Sequence, residues 1–268
     1  MTAPLILTEQ RGHLFEISLN RPDKRNAMSW ELLEQLEEAF IQAERLYNER
    51  SARAVLLTAQ GAFFSSGIDL ESFTVSANKY GERWRDNLFP MTDDLQRLFT
   101  RIEQCSLPVI CVIHGLCLGL GFEMALACDF RIAAARSRFS LPETRLGMIP
   151  DVGGTARLLN LVNLSIAKEL IMTGRTFDAE YAERVGIVNY VVPKEELLQR
   201  AEALADELAL AAPMAVSYAK RALNDMAETQ RKLQIEAWAQ AQLIRTEDFL
   251  NAVSATIAKK QVTDWKGK

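Results

Sequence analysis

Three acidic side chains stand near glycines and prolines in this sequence, where a carboxyl group can take part in proton transfer. Glu123 follows a glycine-bearing segment, and Glu143 and Asp151 lie within the proline- and glycine-containing segment 140–154. A carboxyl group in an apolar turn has a raised pKa and can act as an acid or a base near neutral pH. A helix cap or a surface acid is the structural alternative for each. For Asp151, ahead of Val152, a cap is an equally good interpretation.

Two glycine-bearing segments would expose backbone N–H groups close to these acids. In segment 63–70 a strand exits through small residues and glycine into a short helix. In segment 114–123 a buried strand passes through three glycines into a helix that starts near Gly121. Two such donors that converge on one oxygen would form an oxyanion hole, as the enolate chemistry of a thioester requires. Turn glycines and tight helix-to-strand packing are the simpler explanation when each segment is read singly.

The overall charge and the scarcity of histidine narrow the classes of function. The 268 residues include 31 basic and 35 acidic side chains, so no overall positive field exists to gather nucleic acid. We therefore expect no nucleic-acid partner. His13 and His114 are the only histidines, which argues against a hydrolase triad, although Ser65 and Ser66 are conceivable nucleophiles.

Cysteine usage and the lengths of the apolar runs bear on the compartment. Cys105, Cys111, Cys117 and Cys128 lie in one apolar stretch without a CxxC pair, so we expect reduced, buried thiols and no metal site. No run of eighteen apolar residues occurs, and residues 1–9 lack the regions of a signal peptide. We expect a cytoplasmic protein without a membrane partner.

The spacing of apolar residues predicts an α/β fold. Five segments read as strands: 13–20, 53–58, 108–113, 130–134 and 186–192. A helix is predicted from Ser29, which can cap it, and a second over 82–104, which Pro90 should break or kink. The stretch from Phe73 to Phe89, which overlaps the start of that helix, is expected to be a loop that sets the size of the pocket, and its conformation is not predicted. Repetition of strand, crossover helix and strand favours a mainly parallel sheet.

The sequence changes character after the last predicted strand. From Lys194 onward it is helical almost throughout, and Pro213 starts a new helix. The apolar stripes of these helices need a partner surface, either on the first part of the chain or on another subunit. We therefore expect a boundary between residues 1–192 and a helical region, 193–268.

In combination, these segments resemble the enoyl-CoA hydratase/isomerase family, also called the crotonase family. Segments 63–70, 114–123 and 140–154 are similar to three linked family motifs in the same order. Further similarity lies in Asn20-Arg21-Pro22, Asn26-Ala27-Met28, Thr173-Gly174-Arg175 and 182–188. The resemblance implies a crotonase-like spiral of βαβ units. It also implies a helical C-terminal region that forms homotrimers, and often hexamers of two stacked trimers.

The resemblance further implies roles for individual residues in an enoyl-CoA hydratase of fatty acid β-oxidation. The backbone N–H groups of Ile68 and Leu120 would bind the thioester oxygen, and Leu120, where the family usually has glycine, would crowd the acyl pocket. Glu123 would position a water for syn addition to a 2-trans-enoyl-CoA, and Glu143 would take part in proton transfer to the α-carbon. The residues expected at the CoA moiety are Lys24, Arg25, Ala27, Ser66 and Ile68. Coenzyme A is part of the substrate, so no metal or separate cofactor is expected.

Other activities stay open. Dienoyl-CoA isomerases of the family carry an aspartate at the position of Asp151 and a similar Ser-Gly-Ile-Asp-Leu segment, and such an enzyme would use Glu143 and Asp151. Glu123 favours the hydratase, because that subgroup usually has aspartate there. A 3-enoyl-CoA isomerase and a non-enzymatic CoA-binding or assembly module are further alternatives. Lys259 and Lys260 either reach CoA in a neighbouring subunit or lie at a solvated helix end.

Overall fold

The computed structural model describes residues 3–260, 262 and 265–267, with the backbone alone at residues 73 and 74. The strands in this part of the chain are β1 (Ile6–Arg11), β2 (Leu14–Leu19), β3 (Ala54–Ala59), β4 (Val109–Ile113), β5 (Leu116–Leu118), β6 (Phe130–Ala134), β7 (Arg138–Ser140), β8 (Phe177–Asp178) and β9 (Tyr190–Val192). The α-helices are α1 (Trp30–Asn48), α2 (Leu70–Tyr80), α3 (Phe89–Gln104), α4 (Leu120–Leu126), α5 (Gly154–Leu161), α6 (Leu164–Thr173), α7 (Ala179–Arg184), α8 (Leu197–Ala209), α9 (Pro213–Met226), α10 (Thr229–Leu243) and α11 (Glu247–Ile257).

The larger sheet has the strand order β1-β2-β3-β4-β6-β9, and every neighbouring pair except β1 with β2 is parallel. The prediction of a mainly parallel sheet is therefore confirmed. β4 is buried along its whole length and β3 along most of it, as strands covered on both faces must be. β1 was not predicted, because it is an edge strand whose residues after Leu7 are polar and largely exposed.

The crossover helices follow the predicted pattern with one correction. The Ser29 hydroxyl accepts a hydrogen bond from the Leu32 N–H at 3.3 Å, so Ser29 caps α1 as predicted. The helix predicted over 82–104 begins only at Phe89, and Pro90 does not break it, because Pro90 is the second residue of α3. The amides of a first helical turn lack acceptors within the helix, so the missing N–H of proline is tolerated there. Much of the stretch from Phe73 to Phe89 belongs to α2.

A small second sheet and two isolated bridges bring the three motif segments together. β5, in the second motif, pairs in parallel with β7, which leads into the third. Ser65, in the first motif, forms a bridge with Cys117 of β5. A further bridge joins Ile68 to Met28. Short backbone pairings therefore fix the relative positions of all three chemistry-bearing segments.

The C-terminal helices cover two different surfaces. Leu197, Ala201 and Leu204 of α8 pack with Ile110 and Ile132 on one face of the large sheet. In contrast, α10 contacts α3 and α5, and α11 contacts the 3₁₀ turn Glu143–Leu146. A separate apolar cluster that includes Met91, Met148, Ile244 and Phe249 lies there. The division into residues 1–192 and 193–268 stays a prediction. Among the described residues, no helix has both the length and the apolar character needed to cross a bilayer.

Candidate active site

A cavity of about 210 Å³ lies where the three motif segments meet. Ser66, Gly67, Ile68, Gly119, Leu120, Glu123, Glu143 and Asp151 line it. Most of the remaining wall is apolar, and Gln240 of α10 and Thr256 of α11 close it from the C-terminal side. The predicted acids and the predicted amide donors therefore face one space.

Two glycines allow the loops to approach each other closely. Gly67 has φ +96° and Gly119 has φ +50°, in the region that favours glycine. A Cβ on Gly67 would lie 3.0 Å from the carbonyl oxygen of Leu118, and a Cβ on Gly119 would lie 2.9 Å from Oε1 of Glu143. A larger residue at either position would push the loops apart.

The amides of Ile68 and Leu120 are available to a ligand. The Met28 N–H donates to the carbonyl of Gly67 at 2.8 Å, and the Met28 carbonyl accepts from the N–H of Asp69 at 3.0 Å, so the Ile68 N–H is directed away from Met28. Leu120 is the first residue of α4, where amides lack acceptors within the helix. Neither amide donates to any residue in the described ranges. The Leu120 nitrogen lies 3.5 Å from where a Cβ on Gly67 would be, so the two donors are neighbours.

Glu123 projects from α4 toward the N-terminus of α5. Its Oε1 accepts hydrogen bonds from the N–H groups of Val152 and Gly154, both at 2.9 Å, and the residue is 2% exposed. Burial raises the pKa of Glu123 to about 7, although the two amides and the charge of Arg157 favour the ionised form. Glu123 can therefore take up and release a proton near neutral pH.

Glu143 begins a short 3₁₀ turn, Glu143–Leu146, directly after Pro142. Its carboxyl group is buried, and its Oε2 makes no hydrogen bond within the part of the chain that the structure describes. Burial, and then the charge of Glu123, raise the pKa of Glu143 well above its ordinary value. Glu143 therefore keeps its proton to higher pH than an exposed glutamate does.

Asp151 does not cap α5, so that interpretation of the sequence is wrong. Its Oδ2 accepts a hydrogen bond from the Thr92 hydroxyl at 3.1 Å, and no side chain caps α5 from the residue before it, Gly153. The first amides of α5 donate instead to carboxyl groups from other elements. Burial, followed by the charge of Glu123, raises the pKa of Asp151 to about 8. Asp151 is thus a third acid of the cavity that can hold a proton.

A fourth buried acid, Glu236 on α10, was missed in the sequence. It accepts hydrogen bonds from the N–H of Gly153 at 2.8 Å and from the N–H of Ala156 at 2.5 Å. Burial is the main cause that raises the pKa of Glu236 well above its ordinary value. Glu236 stands at helical spacing between Leu233 and Gln240, inside a stripe that the sequence analysis treated only as packing surface. The presence of an acid within an apolar stripe was the signal that could have identified Glu236 from the sequence.

Comparison with known proteins decides the family. The sequence profile described as "Enoyl-CoA hydratase/isomerase" matches residues 9–268. The chain belongs to this family. The probable enoyl-CoA hydratase 2, mitochondrial, of Arabidopsis thaliana is 36% identical over 252 residues, which cover 92% of this chain and 80% of that relative. The short-chain-enoyl-CoA hydratase of Clostridium acetobutylicum is 33% identical over 270 residues, 98% of each chain.

A solved structure of a carnitinyl-CoA hydratase from Mycobacterium avium is similar over 100% of both chains, with a TM-score of 0.86 and 28% identity. The predicted crotonase-like α/β fold is therefore confirmed.

The CoA-binding residues predicted for this crotonase-family chain lie beside the first motif. The Ser66 N–H donates to the carbonyl of Arg25 at 3.0 Å, which connects the two segments. Ser66 and Ile68 line the cavity, whereas Lys24, Arg25 and Ala27 lie outside it. The Lys24 side chain is 52% exposed, and the Arg25 guanidinium lies over the ring of Phe63. Contact of these two cations with CoA stays a prediction.

Residues that suggested other chemistries are kept apart in this crotonase-family fold. The Ser65 hydroxyl donates to the carbonyl of Asn26 at 2.8 Å, and the His114 ring contacts the carbonyl of Gly61 at 3.1 Å. No serine–histidine pair forms among the hydrogen bonds of the described residues. The prediction of unpaired, buried thiols is confirmed for Cys105, Cys111, Cys117 and Cys128. Lys259 and Lys260 are exposed just beyond α11, and their contact with CoA stays a prediction.

Proposed function

We propose that this protein is an enoyl-CoA hydratase that adds water to a 2-trans-enoyl-CoA. The observation that carries the proposal is the placement of Glu123 and Glu143 in one cavity, beside the unpaired amides of Ile68 and Leu120. The environments of the two glutamates differ. When the pKa values of two neighbouring acids are pushed apart, one can act as the base and the other as the acid.

The proposed mechanism is a syn addition. The N–H groups of Ile68 and Leu120 donate to the thioester oxygen and stabilise the negative charge that develops there. Ionised Glu123 accepts a proton from water as the water oxygen bonds to the β-carbon, and protonated Glu143 donates its proton to the α-carbon from the same side. The product is a 3-hydroxyacyl-CoA. A proton then returns from Glu123 to Glu143 through solvent, which restores both acids.

The CoA part of the substrate would lie across Lys24, Arg25, Ala27, Ser66 and Ile68. Lys24 and Arg25 provide local positive charge for phosphates in a chain whose net charge is −4. We propose no metal and no cofactor apart from the CoA of the substrate. A role in fatty acid β-oxidation, a cytoplasmic location and a trimeric or hexameric assembly complete the proposal.

Product analysis tests the proposal directly. Purified protein is mixed with 2-trans-enoyl-CoAs of graded chain length, the loss of the conjugated thioester absorbance is followed, and the products are identified by mass spectrometry. We expect 3-hydroxyacyl-CoA, and only trace amounts with the Glu143→Gln control. If no enoyl-CoA is consumed while CoA still binds, the hydratase proposal fails and a CoA-binding module replaces it.

Dienoyl-CoA isomerisation is a second candidate, favoured by the position of Asp151. Such a reaction moves a proton between distant carbons and needs acids at separate sites. Asp151 lines the same cavity as Glu143, and its pKa of about 8 suits proton transfer. A 3,5-dienoyl-CoA in the same panel separates the two activities. Rapid isomerisation that Asp151→Asn abolishes, while residual hydration survives, would replace the hydratase by the isomerase.

A further inference from the structure

Glu236 has no part in the proposed reaction, yet it shares one turn of backbone with Glu123. Along residues 152–156 the amide donors are divided between the two acids. Val152 and Gly154 donate to Glu123, and Gly153 and Ala156 donate to Glu236. This turn forms the N-terminus of α5, whose amides lack acceptors within the helix. Two side chains from separate elements, α4 and α10, therefore together accept the hydrogen bonds of these amides.

The two acids are held in different ways. Glu236 uses both oxygens, Oε2 for Gly153 and Oε1 for Ala156, and is 2% exposed. Glu123 receives both of its amides on Oε1, which leaves Oε2 for a reacting water. The fit around Oε1 is tight, because a Cβ on Gly154 would lie 2.8 Å from it. A small movement of this turn would therefore displace the catalytic carboxyl group.

The charged groups around Glu236 come from several elements. The charges of Glu123 on α4 and of Asp151 ahead of α5 oppose ionisation of Glu236, and Arg157 on α5 places positive charge beside Glu123. Arg157 donates to the carbonyl of Val152 at 2.9 Å and pairs with Glu103 of α3 at 3.1 Å. Lys232, on the same helix as Glu236, is engaged with Asn160 and the carbonyl of Ala227. Ionisation of one of two acids on a single helix N-terminus disfavours ionisation of the other.

We propose that Glu236 is a positioning residue for hydration: by fixing the turn of residues 152–156, it holds Glu123 in its reactive orientation and couples to its ionisation. This inference rests on the proposed hydratase function. It gives the C-terminal helices a part in catalysis in addition to closing the acyl cavity. Glu236 does not face the reacting atoms itself, so its effect on turnover passes through Glu123.

A double-mutant cycle tests that dependence. Glu236→Gln keeps one acceptor oxygen but turns an NH₂ group toward the second amide, so the turn is held less firmly. We expect Glu236→Gln to lower kcat at least about tenfold while KM stays within about twofold. In the Glu123→Gln background, the same change should lower the residual kcat by less than about twofold. Equal losses in both backgrounds would overturn the proposal, as would unchanged kcat in a folded Glu236→Gln enzyme.

Glu44→Gln is the matched control. The Glu44 carboxyl group on α1 also accepts a backbone N–H, that of Ser106 at 2.5 Å, but Glu44 does not line the cavity. We expect kcat to be unchanged in both backgrounds. A loss of kcat equal to that of Glu236→Gln would show a general effect of removing a carboxylate cap and would overturn the specific role.

A carboxyl titration keeps the proposal testable if Glu236→Gln does not fold. Two variants with ¹³C-labelled glutamate carboxyls are titrated by NMR: the single variant Glu143→Gln and the double variant that also carries Glu123→Gln. Glu143 contributes no signal in either. Removal of the Glu123 charge should move the titration of a high-pKa glutamate to lower pH. If no glutamate moves, the coupling is absent and the proposal fails. Since the titration needs no turnover, a protein that hydrates no enoyl-CoA would overturn the proposed function without deciding this result.

Discussion

At the scale of single residues, the proposed mechanism gives Glu123 and Glu143 two different chemical roles, although both are glutamates. Both are buried, but two amides and the charge of Arg157 support the ionised form of Glu123. Glu143 has an oxygen without a hydrogen-bond partner in the described residues, and the charge of Glu123 opposes its ionisation. Glu123 therefore ionises first, and that ionisation keeps the proton on Glu143.

This order predicts a bell-shaped pH dependence of kcat/KM for hydration. The rate should rise as pH increases through about 7, where Glu123 loses its proton, and fall at higher pH, where Glu143 and its coupled neighbours lose theirs. Initial rates across about pH 5 to 10 provide the measurement. Glu123→Gln should abolish the rising limb. A rate independent of pH below 7 would exclude Glu123 as the base.

Glu143→Gln should lower kcat by about a thousandfold, within the range typical of a lost general acid, without lowering stability. When folding raises the pKa of a carboxyl group, the folded protein loses stability as pH rises from the group's ordinary pKa through the raised one. The variant lacks that loss, so its free energy of unfolding should equal or exceed that of the wild type at about pH 8. Urea unfolding at about pH 5 and 8 checks this, with Glu44→Gln as a control. Near-normal hydration would remove Glu143 from the mechanism.

Asp151→Asn should leave hydration within about tenfold of the wild type, equivalent to about 1.4 kcal/mol. Asp151 caps no helix, and asparagine can still accept the hydrogen bond from the Thr92 hydroxyl. Initial rates with a 2-enoyl-CoA supply the measurement. A loss of hydration beyond about a hundredfold would show that Asp151 acts in the hydratase reaction itself.

Individual elements differ in how well the sequence predicts them. β4 and α1 follow from apolar spacing and from the Ser29 cap, because burial against a sheet imposes a pattern on consecutive residues. β5 and β8 have three and two residues, too few to show a period, and their pairing depends on distant partners. β5 aligns the motif segments through its pairing with β7 and its bridge to Ser65, so motif order could be predicted but not the contact between the motifs.

The acids of the site also differ in how well the sequence predicts them. Glu123, Glu143 and Asp151 could be selected because they lie in loops with unusual composition. The role of Asp151 as a cap was wrong because Glu123 and Glu236 reach the same amides from other elements. A helix cap that comes from a distant helix leaves no local signature in the sequence, since only tertiary packing brings α10 to α5.

Leu120→Gly should broaden acyl specificity through the first turn of α4. Leu120 lines the cavity and is 5% exposed, while its N–H stays in place whatever the side chain. We expect hydration of short enoyl-CoAs to persist and kcat/KM for bulkier acyl groups to rise. Glycine at a helix position costs up to about 1 kcal/mol of stability. Rates across a chain-length series check the prediction, and loss of all activity would contradict it.

At the scale of the whole molecule, the chain exposes apolar surface on its C-terminal helices. The large apolar side chains exposed on α9 and α10 are Met214, Tyr218, Leu223, Met226, Ile235 and Trp238. Clusters of such side chains on soluble proteins mark association surfaces. They support the assembly that we propose for this family member.

Light scattering coupled to gel filtration should therefore show a trimer or a hexamer at micromolar concentration. Assembly buries apolar surface, so replacing Met214 and Tyr218 by charged residues should shift the protein toward monomer. Circular dichroism of the same variants controls for folding. A stable wild-type monomer would contradict the prediction.

The contact between α10 and α5 also sets an order of events during synthesis. Glu123 and Glu143 are synthesised and leave the ribosome before Glu236, Gln240 and Thr256. Until these later residues dock, the amides of Gly153 and Ala156 lack their acceptor, and the cavity lacks part of its wall. A nascent chain that stops before α10 would thus carry the two proposed catalytic acids without these surroundings. Under the proposed mechanism, hydration therefore requires α10 and α11 to have docked as well as the motif segments to have folded.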